Sequence, residues 1–383
     1  MSIMDNLKEL IDMSVVPEGT DPVPFSITGE FNFISPRNRL RKNKKYGDTG
    51  VAYSEDGKTL EECPASRPGR IRIHEGVERI GVDAFRNGEL SAIIMPDSLI
   101  ELEYGAFMCS MVHEVKFGKN VRKIGDECFG MCNNISEITF PDSLEEIGKR
   151  AFSPCLNLHN VTFSKNLKII GEGAFGSAPL EEVTIPSGSI SIGSQAFCST
   201  KHVIISDSIP KDFILSLVVE NDGYYDEEMV FPDNYVKVTY KGKTSVIPRV
   251  IKQGELKKLN HNFESILASP NRRRLLFLKA AHASEKQAAA LAEYRISKSP
   301  DAFSYMKKKG KDMAIRYIKE KTQEEFVEFL KLGTVPNKIL PELLSIANKE
   351  EKSVVAAYLM ERLGKSNNTQ KAFDKAIDDV FEL

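Results

Sequence analysis

The sequence predicts a two-part α+β chain: a solenoid of 22–23-residue coils carrying a parallel sheet, followed by an all-α domain of helical hairpins. Three observations carry this. An Ala-Phe pair returns at Ala84-Phe85, Ala106-Phe107, Ala151-Phe152, Ala174-Phe175 and Ala196-Phe197, with Cys128-Phe129 as the variant, at spacings of 22, 22, 23, 23 and 22 residues. A short segment of alternating apolar and polar residues follows each Phe. From Gly254 onward this period gives way to helical spacing. A fixed period of this length marks stacked coils, none of which buries its apolar edge alone.

Taken in order, residues 1–50 form an N-terminal cap region opened by an amphipathic helix, with Ile3, Leu7, Leu10 and Ile11 on one face. Asp5, Glu9 and Asp12 interrupt it, and no basic leader or small-residue cleavage site follows, so it does not read as a secretory signal. The repeats span 51–210. Val51 to Pro64 reads as a hairpin turning at Asp56-Gly57. Ile80-Gly81, Ile124-Gly125, Ile147-Gly148, Ile170-Gly171 and Ile192-Gly193 precede the phenylalanines, with Leu102-Glu103 as the exception. The glycine suits either a positive φ or a position where a side chain would clash.

The strand slots are filled by Ile93-Ile94-Met95, Val115-Lys116-Phe117, Ile138-Thr139-Phe140, Val161-Thr162-Phe163, Val183-Thr184-Ile185 and Val203-Ile204-Ile205. Pro96, Pro141 and Pro186 end three of them. The one-residue changes of period fall between Phe and strand, which should leave the register intact. Phe85, Phe107, Phe129, Phe152, Phe175 and Phe197 should form one internal stack.

These residues resemble the BspA-type (Treponema pallidum-type) leucine-rich repeat. The string I-G-x-x-A-F-x-x-C-x-x-L-x-x-V-x-I-P is matched nearly in full between Ile147 and Pro186, and the resemblance covers about 51–209. It implies a scaffold that binds other macromolecules, and many members of the family are surface adhesins that bind host proteins. Cys132 and Cys155 occupy the family's usual cysteine position, with Cys109 one residue short of it. They read as buried small hydrophobes, with a disulfide ladder or redox switch as the alternative.

Alternation decides which residues face out. If Val115 and Phe117 point inward, one outward column of the concave sheet reads Ala92, Glu114, Glu137, Asn160, Glu182 and His202, and its neighbour reads Ile94, Lys116, Thr139, Thr162, Thr184 and Ile204. At ~4.8 Å per strand the strip is roughly 30 Å long, enough for a peptide or a protein edge. Arg70, Arg72 and His74 add a basic end. A solvated strand face would also carry threonines, which are good β formers.

Residues 211–253 read as a capping or linking segment whose hairpin, Tyr235–Tyr240 and Thr244–Ile247 around Lys241-Gly242, closes the open end of the solenoid. Its acidic loop, 220–228, is explained by turn chemistry, with a cation site as the alternative. The domain at 254–383 shows helices at about 255–268, 271–283, 285–297, 300–308, 311–320, 322–331, 337–348, 351–363 and 369–381. Ser269-Pro270, Ser299-Pro300, Gly310, the Thr322/Glu325 capping box, Gly333, Pro336 and Gly364 punctuate them. Residues 339–363 resemble a divergent ankyrin-type helix pair without the Thr-Pro-Leu-His signature.

The charge is divided. The whole chain, 52 basic against 54 acidic side chains, is nearly neutral, but residues 251–383 hold 25 basic and 18 acidic groups, leaving 27 and 36 for residues 1–250. Arg272, Arg273 and Arg274, with Lys307, Lys308 and Lys309, are the densest basic runs and could meet an acidic partner or phosphates; a solvated helix face is the ordinary meaning. No phosphate-binding, dinucleotide, zinc-protease or serine-hydrolase motif is present, and the six histidines lack ligand spacing. The reading is a non-enzymatic protein–protein interaction scaffold, without cofactor, metal site or membrane span, binding a protein through the strip. An adhesin-like surface protein is one alternative, and nucleic-acid binding by the basic half is another. Six cysteines without an export signal point to reduced thiols in the cytoplasm, or to a cell surface reached by a non-Sec route.

Overall fold

The structure, a computed structural model, describes residues 51–66, 68–186, 189–221 and 234–364. The helices expected over 1–16 and 369–381 and most of the acidic loop lie outside the described residues. The chain divides into two compact units, residues 1–243 with 251–263, and residues 244–250 with 264–383.

In the first unit each coil contributes to three backbone ladders. The first is a parallel run of two-residue strands, Arg79–Ile80, Glu101–Leu102, Lys123–Ile124, Glu146–Ile147, Ile169–Ile170 and Ser191–Ile192, begun by Thr59–Glu62 and the antiparallel Ala52–Tyr53. The second ladder follows each Ala-Phe pair: the Phe85 N–H donates to Ala106 O at 2.7 Å, Phe107 to Cys128 at 2.7 Å, and so on to Phe175 and Ala196 at 3.0 Å. The third is the wall of longer strands, from Gly69–Arg72 through Leu90–Ile94 to Glu114–Lys116, and from Glu137–Thr139 through Asn160–Thr162, Glu182–Ile185 and His202–Ile205 to Tyr235–Tyr240.

The six repeat phenylalanines stack as expected, fully buried, with ring centroids 4.8–5.8 Å apart and planes within 9° of parallel. That interval is close to the ~4.8 Å between neighbouring strands, so one ring per coil fills the core without changing the rise. The Ile-Gly glycine is explained by close approach, not by φ. A Cβ on Gly148 would lie 2.5 Å from Asp126 N, and one on Gly171 2.5 Å from Lys149 N, in the coil below. The far end of the stack is covered by the turn Phe213–Ser216, whose Leu215 and Ser216 carbonyls accept from Gln195 and Phe197, both at 2.8 Å.

The wall is not one continuous ladder, and here the expected continuity needs correction. Between Glu114–Lys116 and Glu137–Thr139 no pairing forms, and between Asn160–Thr162 and Glu182–Ile185 only Asn160 and Glu182 pair. The Met95 and Phe140 amides donate to Lys116 O and Thr162 O at 2.9 and 3.0 Å, whereas their counterparts on Phe117 and Phe163 have no backbone partner among the described residues. Both interruptions fall where the count from repeat Phe to strand changes. It is eight residues from Phe107 to Val115, nine from Phe129 to Ile138 and from Phe152 to Val161, and eight again from Phe175 to Val183. At both interruptions an eight-residue turn adjoins a nine-residue one, whereas Glu182–Ile185 and His202–Ile205 pair over four residues although the count falls from eight after Phe175 to six between Phe197 and Val203. The second phenylalanines, Phe117, Phe140 and Phe163, lie at similar intervals across the interrupted and the paired coils, with centroids 5.8 and 5.9 Å apart.

The expected 235–240 strand forms, but it also continues the wall: His202, Val203, Ile204 and Ile205 pair in parallel with Lys237, Val238, Thr239 and Tyr240. Lys241 and Gly242, at φ 48° and 72°, turn the chain toward Lys243–Pro248.

The helical half opens with Leu256–Ala268. In the second unit, Ala283–Ser297, Gln323–Lys331 and 353–364 lie near the expected positions. Thr322 and Glu325 form the capping box, the Thr322 hydroxyl accepting from Glu325 N at 3.2 Å and the Glu325 carboxylate from Thr322 N at 3.1 Å. The helix expected over 271–283 is instead the single turn Pro270–Arg273 and a 3-10 turn Leu276–Lys279, ended when the Ala281 N–H donates to Val250 O at 2.9 Å. The two helices expected around Gly310 are one, Pro300–Glu320. Gly310 does not stop it but lets a neighbouring loop approach, since a Cβ there would overlap the Thr334 carbonyl oxygen. The helix expected over 337–348 begins as a 3-10 turn, Asn337–Ile339, and continues as Leu340–Lys349.

Candidate partner-binding strip

Register along the wall places the predicted columns. Arg70, Ala92 and Glu114 align, as do Arg72, Ile94 and Lys116. Past the interruption, Glu137, Asn160, Glu182, His202 and Lys237 align, with Thr139 beside Thr162, and Thr184 beside Ile204 and Thr239. Inward Val183 and Ile185 are buried, while Glu137, Thr139, Asn160, Thr162, Glu182 and Thr184 are all exposed. Ala92 is buried, so the first column is closed at that coil. Lys237 and Thr239 extend both columns by one strand; the alternation in Tyr235–Tyr240 was their sequence signal.

The interruption separates two chemically different halves. In the first, Glu114 is neutralised: Lys116 lies 3.2 Å away and the Arg70 guanidinium 2.6 Å away, and together they hold its carboxyl below the usual range. His74 Nδ1 donates to Glu75 O at 3.0 Å and its ring lies 4.9 Å from that of Tyr53. In the second half, Glu182 contacts His202 Nδ1 at 2.9 Å, and the other ring nitrogen meets the Thr239 hydroxyl at 2.7 Å. Glu137, Thr139, Asn160, Thr162 and Thr184 make no side-chain hydrogen bond or ion pair among the described residues.

That idleness contrasts with the two-residue-strand face. There Lys58 meets Glu78 at 2.8 Å, Lys123 meets Glu101 at 3.1 Å, and Glu145 takes both Lys168 at 2.5 Å and Arg122 at 3.6 Å. Such exposed pairs contribute little each, ~0–1 kcal/mol, and the Glu146 side chain on the same face forms no hydrogen bond or ion pair among the described residues.

Cys132 and Cys155 are buried free thiols donating to Phe107 O at 2.9 Å and Phe129 O at 3.1 Å. Burial pushes Cys132 up to about 12 and Cys155 well above its ordinary value, which removes the reactive thiolate. The basic runs of the helical half are largely engaged. Arg273 donates to Leu267 O at 3.0 Å, Arg274 lies 2.7 Å from Asp301, Arg272 reaches the Ser265 hydroxyl at 3.5 Å, and Lys309 sits 3.3 Å from Asp312. Lys307 and Lys308 are exposed. Among the described residues no three His, Cys, Asp or Glu side chains are grouped to hold a metal ion, and no helix is long and apolar enough to cross a membrane.

A comparison with known families decides the nature of the coils: residues 66–178 match the BspA type Leucine rich repeat region in six copies. Residues 66–178 are BspA-type leucine-rich repeats. Solved structures similar to the chain include a T. pallidum leucine-rich repeat protein at 20% identity, covering 44% of this chain and 86% of that one with a TM-score of 0.33. A Bacteroides ovatus leucine-rich repeat protein follows at 19%, covering 39% and 54%, TM-score 0.26. The pneumococcal vaccine antigen PcpA is similar at 13%, covering 52% and 94%, TM-score 0.19. No curated protein matches the chain. The family match ends at residue 178, so the ankyrin likeness of 339–363 lies outside it.

Proposed function

We propose that the chain is a non-enzymatic binding scaffold whose BspA-type repeats capture a protein partner on the wall, chiefly over the half from Glu137 to Thr184. The observation that supports this is the idle polar row: five exposed side chains, on three adjacent strands, that form no side-chain bonds among the described residues, while Glu114 in the same column is held by Arg70 and Lys116. Rigid strands hold these groups at fixed spacing, so a partner ordering them loses little entropy. The basic end at Arg70, Arg72 and His74 would contribute steering more than contact energy, because Arg70 is already committed to Glu114. Affinity capture from a lysate of the source organism tests the reading: a Glu137→Lys/Glu182→Lys variant should lose what the unaltered chain retains, whereas equal capture by both would refute it.

A further inference from the structure

Resting on that reading, we infer that the Glu137–Thr184 half accepts an extended, polyproline-type segment bearing cationic side chains three residues apart. Glu137, Asn160 and Glu182 align on successive strands. The two carboxylates are therefore two strand spacings apart, roughly 10 Å. A polyproline II segment rises ~3.1 Å per residue with three residues per turn, so its residues i and i+3 lie on one face ~9.3 Å apart. A β-extended segment lying along the column returns to the same face every second residue, ~6.8 Å, and misses the second carboxylate.

The neighbouring column supplies the rest. A polyproline II backbone makes no internal hydrogen bonds, so its carbonyls need donors. Thr139, Thr162 and Thr184 offer three idle hydroxyls beside the carboxylates, and Asn160 an idle amide between them. Glu137 has no cation beside it among the described residues, and Glu182 touches only the His202 ring. The chemistry thus selects Lys or Arg, in contrast to the first half, where Glu114 already holds two cations.

The test is fluorescence anisotropy with three labelled proline-rich decapeptides on the full chain at low and at physiological salt. One carries two Arg at i and i+3, one the same Arg at i and i+2, and one Glu at i and i+3. The i,i+3 Arg peptide should bind at least about tenfold tighter than either control, and Glu137→Gln and Glu182→Gln should each weaken it about tenfold, equivalent to ~1.4 kcal/mol. Thr162→Val, which keeps both carboxylates and the strand, should weaken all cationic peptides by a smaller factor. Equal binding of the two Arg peptides, no binding of either, or insensitivity to both Glu→Gln changes would overturn the inference. If in addition the Glu137→Lys/Glu182→Lys chain still captures its protein partner, the strip reading itself fails; if capture is lost, only the spacing rule does.

Discussion

At the scale of single residues, the solenoid depends on positions that an ordinary side chain occupies at a cost. One residue per coil, two before each repeat Phe, has positive φ: Asp83, Gly105, Glu127, Arg150, Gly173 and Gln195, all near 50–60°. Non-glycine residues there carry roughly 1–2 kcal/mol of strain. Gly173→Ala should therefore destabilise the chain by about 1 kcal/mol, since its Cβ would meet only the flexible Arg150 stem at 3.5 Å. Gly105→Ala should be worse, about 2 kcal/mol, because its Cβ would also lie 2.5 Å from Asp83 Oδ1. Urea denaturation of the two variants checks the order, and equal losses would contradict it. In the second unit, Glu285 is 5% exposed, and burial raises its carboxyl to about 7. A carboxyl raised above its unfolded value favours the fold while protonated, and that contribution is lost as pH climbs from about 4.5 through 7. Glu285→Gln should match the unaltered chain at pH 4 and exceed it by on the order of 1–3 kcal/mol at pH 8. Parallel denaturant titrations at the two pH values would show it, and no pH dependence of the difference would refute the burial argument.

At the scale of elements, the wall is interrupted where an eight-residue turn adjoins a nine-residue one. The Phe117 and Phe163 amides should exchange hydrogen at least about a hundredfold faster than those of Met95 and Phe140, whose carbonyl partners are in place. Residue-resolved hydrogen exchange decides this, and similar protection at all four would mean that the wall is continuous after all. In the helical half, Thr322→Ala should cost about 1 kcal/mol by removing half of the capping box, read as a lowered denaturation midpoint. The period, the Phe stack, the wall columns and the capping box were legible because each is a local pattern repeated or a local bond between near neighbours. The ladder breaks were encoded in the same 22-to-23 change, but their effect depends on two coils at once, and one-coil reasoning predicted an undisturbed register. Gly310 misled for a related reason. Its purpose is an approach by Thr334, which sequence proximity does not reveal.

At the scale of the whole molecule, the BspA-type repeats build a frame in which Lys58, Glu101, Lys123 and Glu145 are ion-paired on one face while Glu137, Asn160 and three threonines stand idle on another. The sequence could place Glu137, Asn160 and Glu182 in one column, but could not show that Glu114, in the same column, is already neutralised by Arg70 and Lys116. Nor could it show that Arg272, Arg273 and Arg274 fold back onto their own unit, which removes much of the cationic patch that composition suggested. The split of charge between the halves of the chain is real in sequence, yet individual pairings decide what a partner meets. The most direct measurement of the central claim is quantitative capture of the protein partner by matched charge reversals on the two faces. Glu137→Lys/Glu182→Lys on the wall should reduce capture at least about tenfold, whereas Glu146→Lys/Glu172→Lys, away from it, should leave capture unchanged at equal thermal stability. Equal capture by the wall variant, or a loss shared by both, would contradict the account.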